Sequence, residues 1–337
     1  MPDTLPPPPP LPLPLSNDHA GLTPRTNFDT PKLVFDFPAL RIGVAQYDEG
    51  PTGCTVFHFP QLAQAAVDVR GGSHGTLLTE ERDRVGAICL AGGSLLGIEA
   101  ATGVTAELFA QRDYSTGWGD IPLVSAGIIF DYGPRGNSIY PDKALGRAAL
   151  RAAESGVFPL GACGAGASAT VGKGLGFEMR ESGGQGGSFR QVGPTKVAVF
   201  TVVNAVGAIV DRQGKVVRGH RDPETGRRFH FMEGLEKKLA EAQPVEPPKE
   251  GNTTLTVLVT NQKLNLERGL TWSLRQLART VHSSMSQAIQ PFHTLYDGDV
   301  LWAVTTNEVE NPMLSDVALG VLASEVAWDA VLSCFSE

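Results

Sequence analysis

The junction Gly251–Asn252–Thr253 combines residue types that suit a nucleophile at a newly made chain end. Thr253 directly precedes the β-branched and apolar run 254–260, which predicts a buried strand. Cleavage between Asn252 and Thr253 would give Thr253 a free α-amine beside its hydroxyl. Because the pKa of an α-amine is near ~7.7–8, that amine could act as general base for the hydroxyl. The alternative is an ordinary threonine before an ordinary strand, and these residues alone favour that alternative.

A second candidate for chemistry is Asp297–Gly298–Asp299, which stands before the strand-like run 299–305. A glycine turn followed by strand alternation can direct both carboxylates to one place, where they would take part in proton transfer. The alternative is a surface turn. A calcium loop is excluded because the other ligand positions of an EF-hand are absent.

The glycine-rich run Gly161–Gly176 suggests a phosphate-binding loop but does not fit one. A P-loop needs glycine where Ala167 stands and Ser or Thr where Gly174 stands. Residues 164–169 match GxGxxA, yet no clear strand precedes them and no βαβ pattern follows, so this match is weak. The run is either a turn packed against another backbone or a loop that presents Lys173 to a site.

The elements that position these groups alternate between strands and helices. The polar, charged segment 220–250 ends in Pro-rich sequence and predicts a long exposed linker directly before the junction. Mixed strands and helices without an internal repeat predict an α/β or α+β domain. The other predicted elements are strands at 33–37, 42–47, 254–260 and 299–305, a strand pair within 196–217 that turns near 211–214, a strand leading into a helix over 87–103, and helices at 142–155, 270–281 and 315–332.

Composition narrows the class of protein. With 337 residues, 42% of them hydrophobic, the chain can bury a sizeable core, and a net charge of −8 argues against a nucleic-acid binder. Four scattered cysteines form no metal-ligand spacing and predict buried thiols, so neither a metal nor a cofactor is expected. No run reaches the ~18–20 apolar residues of a membrane span. Residues 1–32 begin with eight prolines in fifteen residues and no basic segment, which predicts a disordered arm rather than a signal peptide, and a cytoplasmic protein.

From about residue 33 to 332, the chain resembles the self-cleaving, DmpA-like family of N-terminal-nucleophile aminopeptidases. Within this family it most resembles the members that cleave 6-aminohexanoate oligomers internally, which have Thr where β-peptidyl and D-stereospecific aminopeptidases usually have Ser. The blocks that carry the resemblance are LAGGSLLGIEAATGV (90–104), IYPDKALGRAAL (139–150), GAGASATVGK (164–173), VVNAVGAIVDRQGKVVRG (202–219), GNTTLTVLVTN (251–261), HSSMSQAIQPFHT (282–294) and DGDVLWAVTTNEV (297–309).

The resemblance implies site residues position by position. It makes Thr253 the nucleophile and Asn252–Thr253 the bond that is cut. It also places Lys173, Asn204, Asp297, Asp299 and Tyr140 at the active site. Asn204, together with Tyr140 or a backbone amide, would donate to the oxyanion, a contribution typically worth about 3–4 kcal/mol. The two aspartates would orient the Thr253 ammonium and Lys173.

The resemblance also implies a fold and an activity. The expected fold is a four-layer αββα sandwich in which 33–252 and 253–337 are two fragments of one domain. The cleaved units would assemble as a homotetramer acting on a small oligoamide substrate without cofactor. Two other activities stay open: a β- or D-aminopeptidase of the same family, and an N-acyltransferase like the ornithine acetyltransferases.

Overall fold

The computed structural model describes residues 14–78, 83–246, 251–264 and 270–335, excluding the side chains of 270–272. These ranges hold strands β1–β16 and helices α1–α5. The strands are β1 Lys32–Val34, β2 Arg41–Tyr47, β3 Thr52–Val69, β4 Thr76–Leu77, β5 Arg84–Ala91, β6 Val124–Ile128, β7 Val157–Pro159, β8 Thr170–Val171, β9 Glu181–Ser182, β10 Gly184–Val192, β11 Thr195–Asn204, β12 Ala208–Val210, β13 Val216–Arg218, β14 Thr253–Gln262, β15 Ile289–Gln290 and β16 Val300–Val309. The helices are α1 Ile98–Ala110, α2 Lys143–Arg151, α3 Phe231–Ala240, α4 Leu270–Ser284 and α5 Asp316–Leu332.

One nine-stranded sheet forms the framework. Its order is β10-β11-β14-β16-β3-β5-β6-β4, and β2 pairs with β3 off this path. The eighteen-residue β3 is long enough to pair with β16 along one part and with β2 along another. Because β3 belongs to both halves, the sheet folds so that the halves face each other.

Four layers follow from this folding of the sheet. Phe57 of one half and Phe200 and Trp302 of the other belong to the core between the halves. Helices α1 and α2 cover β2, β5 and β6 on one outer face, while α4 and α5 cover β3, β10, β11 and β16 on the other. A separate apolar core lies under each helix pair. The predicted αββα sandwich is therefore confirmed.

Strand β14 lies at the centre of the sheet, and all ten of its residues are buried. It is antiparallel to β11 and parallel to β16, and β16 pairs in turn with β3. The two long strands downstream of residue 252 are thus inserted between strands from upstream of it. Neither 33–252 nor 253–337 has a complete sheet without the other.

The structure differs from the sequence prediction at the N-terminus. Of the predicted arm 1–32, residues 1–13 lie outside the described part, but 14–32 pack against the body. Phe28 is buried, and the backbone of Arg25 pairs with that of Gln46. Arg25 also forms an ion pair with Asp48 at 2.6 Å. The polar composition of this segment concealed these few anchoring contacts.

The segment predicted as an exposed linker, 220–250, also contains more structure than expected. Helix α3 forms there because Phe231, Gly234 and Leu235 recur at helical spacing on its less exposed face, a pattern hidden among charged residues. His220 is fully buried. Residues 241–246 are mostly exposed, and 247–250 lie outside the described part.

The strand predicted at 33–37 is shorter in the structure, where β1 ends at Val34, and most of the other predicted elements agree with it. The pair predicted within 196–217 is the single strand β11 followed by the short hairpin β12–β13, whose turn runs from Asp211 to Lys215. Ser315 caps α5 by accepting from the amide of Ala318. All four cysteines are buried and free.

Candidate active site

Thr253 is the first residue of the central strand and lies directly opposite Asn204 on β11. Both side chains are almost completely buried, at 3% and 1% exposure. Thr253 Oγ1 donates to the carbonyl oxygen of Asn252 at 2.5 Å. The hydroxyl therefore lies beside the carbonyl that it would have to attack in self-cleavage.

The carbonyl of Asn252 is held by the backbone. Its oxygen accepts from the Gly298 amide at 2.7 Å, while the Asn252 amide donates to the Tyr296 carbonyl at 3.2 Å. Residue 298 must be glycine for this approach, because a Cβ there would lie 2.4 Å from the Ser73 carbonyl oxygen. A fixed N–H that points at a carbonyl oxygen is the arrangement that stabilises an oxyanion.

Lys173 reaches the site from the glycine-rich run. It is 4% exposed, and its Nζ donates to Asn204 Oδ1 at 2.9 Å and to the Asn204 carbonyl at 3.3 Å. The same Oδ1 accepts from the Thr170 amide, and Asn204 Nδ2 donates to the Phe130 carbonyl at 2.9 Å. One amide hydrogen of Asn204 is thus occupied, and the side chain is fixed in orientation.

Asp297 is fully buried and is surrounded by hydrogen-bond donors. Its Oδ1 accepts from the Val206 amide at 3.1 Å, and its Oδ2 accepts from the amide and hydroxyl of Thr294 at 3.0 and 2.6 Å. Burial, reinforced by the charge of Asp299, nevertheless raises the pKa of Asp297 to about 6. This carboxyl group therefore titrates close to neutral pH.

Asp299 is fully buried as well, and it supports the strand head directly. Its Oδ1 accepts from the Thr254 amide at 2.7 Å, and its Oδ2 accepts from His293 Nδ1 at 2.8 Å. Burial raises the pKa of Asp299, and the hydrogen bond from His293 opposes that rise. Asp299 thus holds the chain just downstream of the Asn252–Thr253 bond, and the backbone of Tyr296 and Gly298 holds it at Asn252.

The sequence-predicted residues fall into one cluster with one exception. Asn204 joins Lys173 to Thr253, and the turn at 297–299 joins both aspartates to the same strand head. Tyr140 is not brought to this cluster by any hydrogen bond among the described residues. Its backbone pairs with the Asn17 side chain, and burial and Glu99 raise the pKa of its hydroxyl.

Two features of the site were not predicted as parts of it: the Gly298 amide and His293. A neighbouring residue, Tyr132, packs against Arg135, and burial raises the pKa of its hydroxyl. It follows Phe130, whose carbonyl binds Asn204 and whose Cβ would lie 3.0 Å from a Cβ at Gly251. In the sequence, Tyr132 is marked only as a tyrosine shortly after a buried strand, which is a weak indication of a functional role.

The cluster provides a hydroxyl nucleophile, a buried ammonium, two carboxyl groups with raised pKa values and fixed N–H donors. Such a set can carry out acyl transfer, with nucleophile, proton carriers and oxyanion donors in separate groups. Within the described residues, no three His, Cys, Asp or Glu side chains are grouped so as to bind a metal ion. In the same ranges, no helix is long and apolar enough to cross a membrane.

Comparison with known proteins identifies the family. The chain matches Peptidase family S58 over residues 33–336. It is 46% identical over 327 residues to the 6-aminohexanoate-oligomer endohydrolase of Agromyces sp. (strain KY5R), which covers 94% of this chain and 89% of that protein.

Solved structures show the same fold at low sequence identity. The L-aminopeptidase D-Ala-esterase/amidase of Ochrobactrum anthropi, described as a variant of the Ntn hydrolase fold, matches with a TM-score of 0.62 and 15% identity. A β-aminopeptidase of Burkholderia sp. matches with a TM-score of 0.60 and 17% identity. Each match covers 92% of this chain and 88% of the other. The chain therefore belongs to Peptidase family S58, is an amide-bond hydrolase, and has the Ntn hydrolase fold, as its sequence predicted.

Proposed function

We propose that the chain cuts itself between Asn252 and Thr253 and then hydrolyses linear ω-amino-acid amides, such as 6-aminohexanoate oligomers, through an acyl-enzyme on Thr253. The observation that carries this proposal is the contact of Thr253 Oγ1 with the Asn252 carbonyl oxygen, which the Gly298 amide also binds. Nucleophile, carbonyl and oxyanion donor are already assembled in the uncut chain.

Self-cleavage proceeds as an N-to-O acyl shift. Thr253 Oγ attacks the Asn252 carbonyl carbon, and the oxyanion forms against the Gly298 N–H. The hydroxyl proton moves to the departing nitrogen, which becomes the α-amine of Thr253, and Asn252 is left as an ester on Oγ. Water hydrolyses the ester, so that Asn252 ends the larger fragment and Thr253 begins the smaller one.

Turnover repeats this chemistry on a bound amide. The neutral α-amine of Thr253 takes the hydroxyl proton as Oγ attacks the substrate carbonyl, and the departing amine then receives that proton. Water releases the acyl group. Lys173 and Asn204 fix the polar surroundings of the nucleophile, and Asp297 and Asp299 orient the new ammonium. Tyr132, two residues after the Phe130 carbonyl that binds Asn204, is a second candidate beside Tyr140 to donate to the substrate oxyanion.

The proposed substrate class rests on the relative and on the surface beside the junction. The Agromyces relative is named for 6-aminohexanoate oligomers. In this chain Leu295 and Tyr296, directly before Asp297, are 72% and 38% exposed. An exposed apolar rim beside a polar site suits a ligand that alternates methylene chains with amide groups.

Two features of the proposed enzyme lie outside the site itself. We propose that the cut units assemble as a homotetramer in the cytoplasm. Light scattering on the cut protein, together with fractionation of the source cells, tests both statements.

Self-cleavage is tested by a pair of isosteric substitutions. Wild type should give two chains of roughly 27 and 9 kDa from 35.7 kDa, as divided by length. Thr253→Val should give one uncut chain without amidase activity. Thr254→Val, the same change one residue later, removes a hydroxyl that has no hydrogen-bond partner in the described part of the chain and should leave cleavage intact. An uncut wild type, or a Thr253→Val chain that still splits, contradicts the proposal.

The substrate class needs its own experiment. Amine release from 6-aminohexanoate oligomers, β-alanyl amides and D-alanyl amides should be measured side by side, with and without an added amine acceptor. The oligomers should be cleaved fastest, and water should be the main acceptor. Faster cleavage of either short amide would support an aminopeptidase, and transfer to the added amine would support an acyltransferase.

A further inference from the structure

A chain of polar side chains runs from the strand head to the outer helix layer. Asp299 Oδ2 accepts from His293 Nδ1 at 2.8 Å, the rings of His293 and His282 lie 4.4 Å apart at 82°, and His282 Nδ1 lies 2.9 Å from Asp68 Oδ2. Asp68 forms an ion pair with Arg70 at 2.6 Å. These contacts connect β3, α4 and the 291–299 segment.

The hydrogen bonds determine what His293 can do. Each oxygen of Asp299 accepts from a backbone amide, Oδ1 from Thr254 and Oδ2 from His293, so the carboxyl group acts as the acceptor and Nδ1 of His293 carries the hydrogen. Asp299 then has three donors: the Thr254 amide on one oxygen, and the amide and ring of His293 on the other. His293 has φ +58°, a left-handed conformation that turns its amide and its ring towards the same oxygen.

His282 packs edge-to-face against the ring of His293. It is fully buried, and burial lowers its pKa to about 4, so its ring is neutral at pH 7. The Nε2 atoms of both histidines have no hydrogen-bond partner among the described residues. Because unpaired buried polar atoms are costly, we attribute the burial of the two rings to the hydrogen bonds of their Nδ1 atoms.

We infer that His293 is a positioning residue for self-cleavage and turnover: its Nδ1–H keeps Asp299 ionised and aimed at the Thr254 amide, so that Thr253 is held against the carbonyl it attacks. This inference rests on the proposed function. His282, anchored on Asp68, fixes the plane of the His293 ring.

The inference has a pH signature. Charged or titratable groups packed around this pair are Asp297, His282, Asp68, Arg70 and Arg279. Without the His293 donor, burial raises the pKa of Asp299 further, so its carboxylate is lost at a higher pH. The acid limb of the pH–rate profile should therefore move upward. A residue that only fills space would lower the rate equally at every pH.

The experiment compares His293→Asn with His293→Gly. Both residues tolerate the left-handed backbone, but only asparagine has a donor nitrogen near the position of Nδ1. We expect His293→Asn to cut itself within about threefold of the wild-type rate. His293→Gly should be slowed about tenfold or more at neutral pH, with its acid limb shifted upward by about one pH unit. His58→Asn, on the part of β3 that pairs with β2 and outside this network, is the matched control, and its acid limb should not move.

The outcomes separate this inference from the proposed function. A wild-type chain that never cuts itself contradicts both. If wild type is cut but His293→Gly retains its rate, or slows equally at every pH, the inference fails and the function stands. If His293→Gly does not fold, His293→Asn decides alone: a tenfold loss in that variant would overturn the inference, and a wild-type rate supports it.

Discussion

The two sides of the Asn252–Thr253 bond are built in opposite ways. Downstream, every residue of β14 is buried and hydrogen-bonded into the centre of the sheet. Upstream, α3 shows most of its surface to solvent, with Met232 and Leu239 57% and 64% exposed. Thr253 is therefore fixed by the core and α3 lies on the surface, while Asn252, between them in the sequence, is buried and bonded to the backbone of Tyr296 and Gly298.

The same contrast appears in the acidic residues of each side. Burial raises the pKa of Asp297, downstream of the bond, to about 6. Upstream, the exposed Asp222 accepts from the amides of Thr225 and Glu224, and these bonds lower its pKa. The pKa of an aspartate thus shifts upward where burial dominates, as at Asp297, and downward where backbone amide donors dominate, as at Asp222. Three substitutions test this comparison.

The largest effect is expected on stability. Leu258→Ala empties a fully buried position on β14 between the sheet and the helices, and should lower the free energy of unfolding by about 2–5 kcal/mol. Leu239→Ala on α3, its control, should change it by less than about 0.5 kcal/mol. Urea unfolding in the Thr253→Val background, where the chain stays whole, gives both values. Equal losses would show that the two sides do not differ.

The next effect is expected on the rate of self-cleavage. Lys173→Met keeps most of the volume but removes the ammonium that binds Asn204, opposite Thr253. We expect the rate to fall about a hundredfold, as for loss of a key polar group in an active site. Lys237→Met on α3 should cut itself normally. The time course of the two fragments on a gel measures both, and an unimpaired Lys173→Met would remove this lysine from the mechanism.

The smallest effect is a dependence of stability on pH. The folded chain raises the pKa of Asp297, so its contribution to stability is complete below pH ~4 and is lost as pH rises through about 6. Asp297→Asn does not titrate, so its stability relative to wild type should rise by about 2 kcal/mol from pH 4 to 7. Asp222→Asn should show no such slope in this window. A flat difference for Asp297→Asn would mean that the carboxyl group is effectively solvated.

Local sequence made Thr253, Asp297 and Asp299 candidates, because the threonine stands at the head of a β-branched run and the aspartates flank a glycine. It also left an ordinary strand and a surface turn as alternatives, and the resemblance decided between them. The four-layer fold, Lys173 and Asn204 came from resemblance, because nothing in their own neighbourhoods shows that β11 places Asn204 against Thr253.

The missed contacts are long-range or involve the backbone. Glycine has no side chain that could indicate a role for the Gly298 amide, and the carbonyl that this amide binds is 46 residues away along the chain. Phe130 meets Asn204 across 74 residues. The motif at 139–150 predicts that Tyr140 lies at the active site. In the structure this segment leads into α2, and the Tyr140 hydroxyl lies near Glu99. Residue propensity and spacing predict where each strand lies in the sequence, but they do not predict which strands it pairs with.

The insertion of β14 and β16 between β11 and β3 affects how the molecule can refold before and after cleavage. The uncut chain folds as a single polymer, so its refolding rate does not depend on concentration. Once it is cut, the same sheet can be rebuilt only when two separate chains meet, each lacking the strands that would shield its edges. Self-cleavage would therefore act as a one-way step: a mature molecule that unfolds loses its route back, and its working lifetime is set by how slowly it opens.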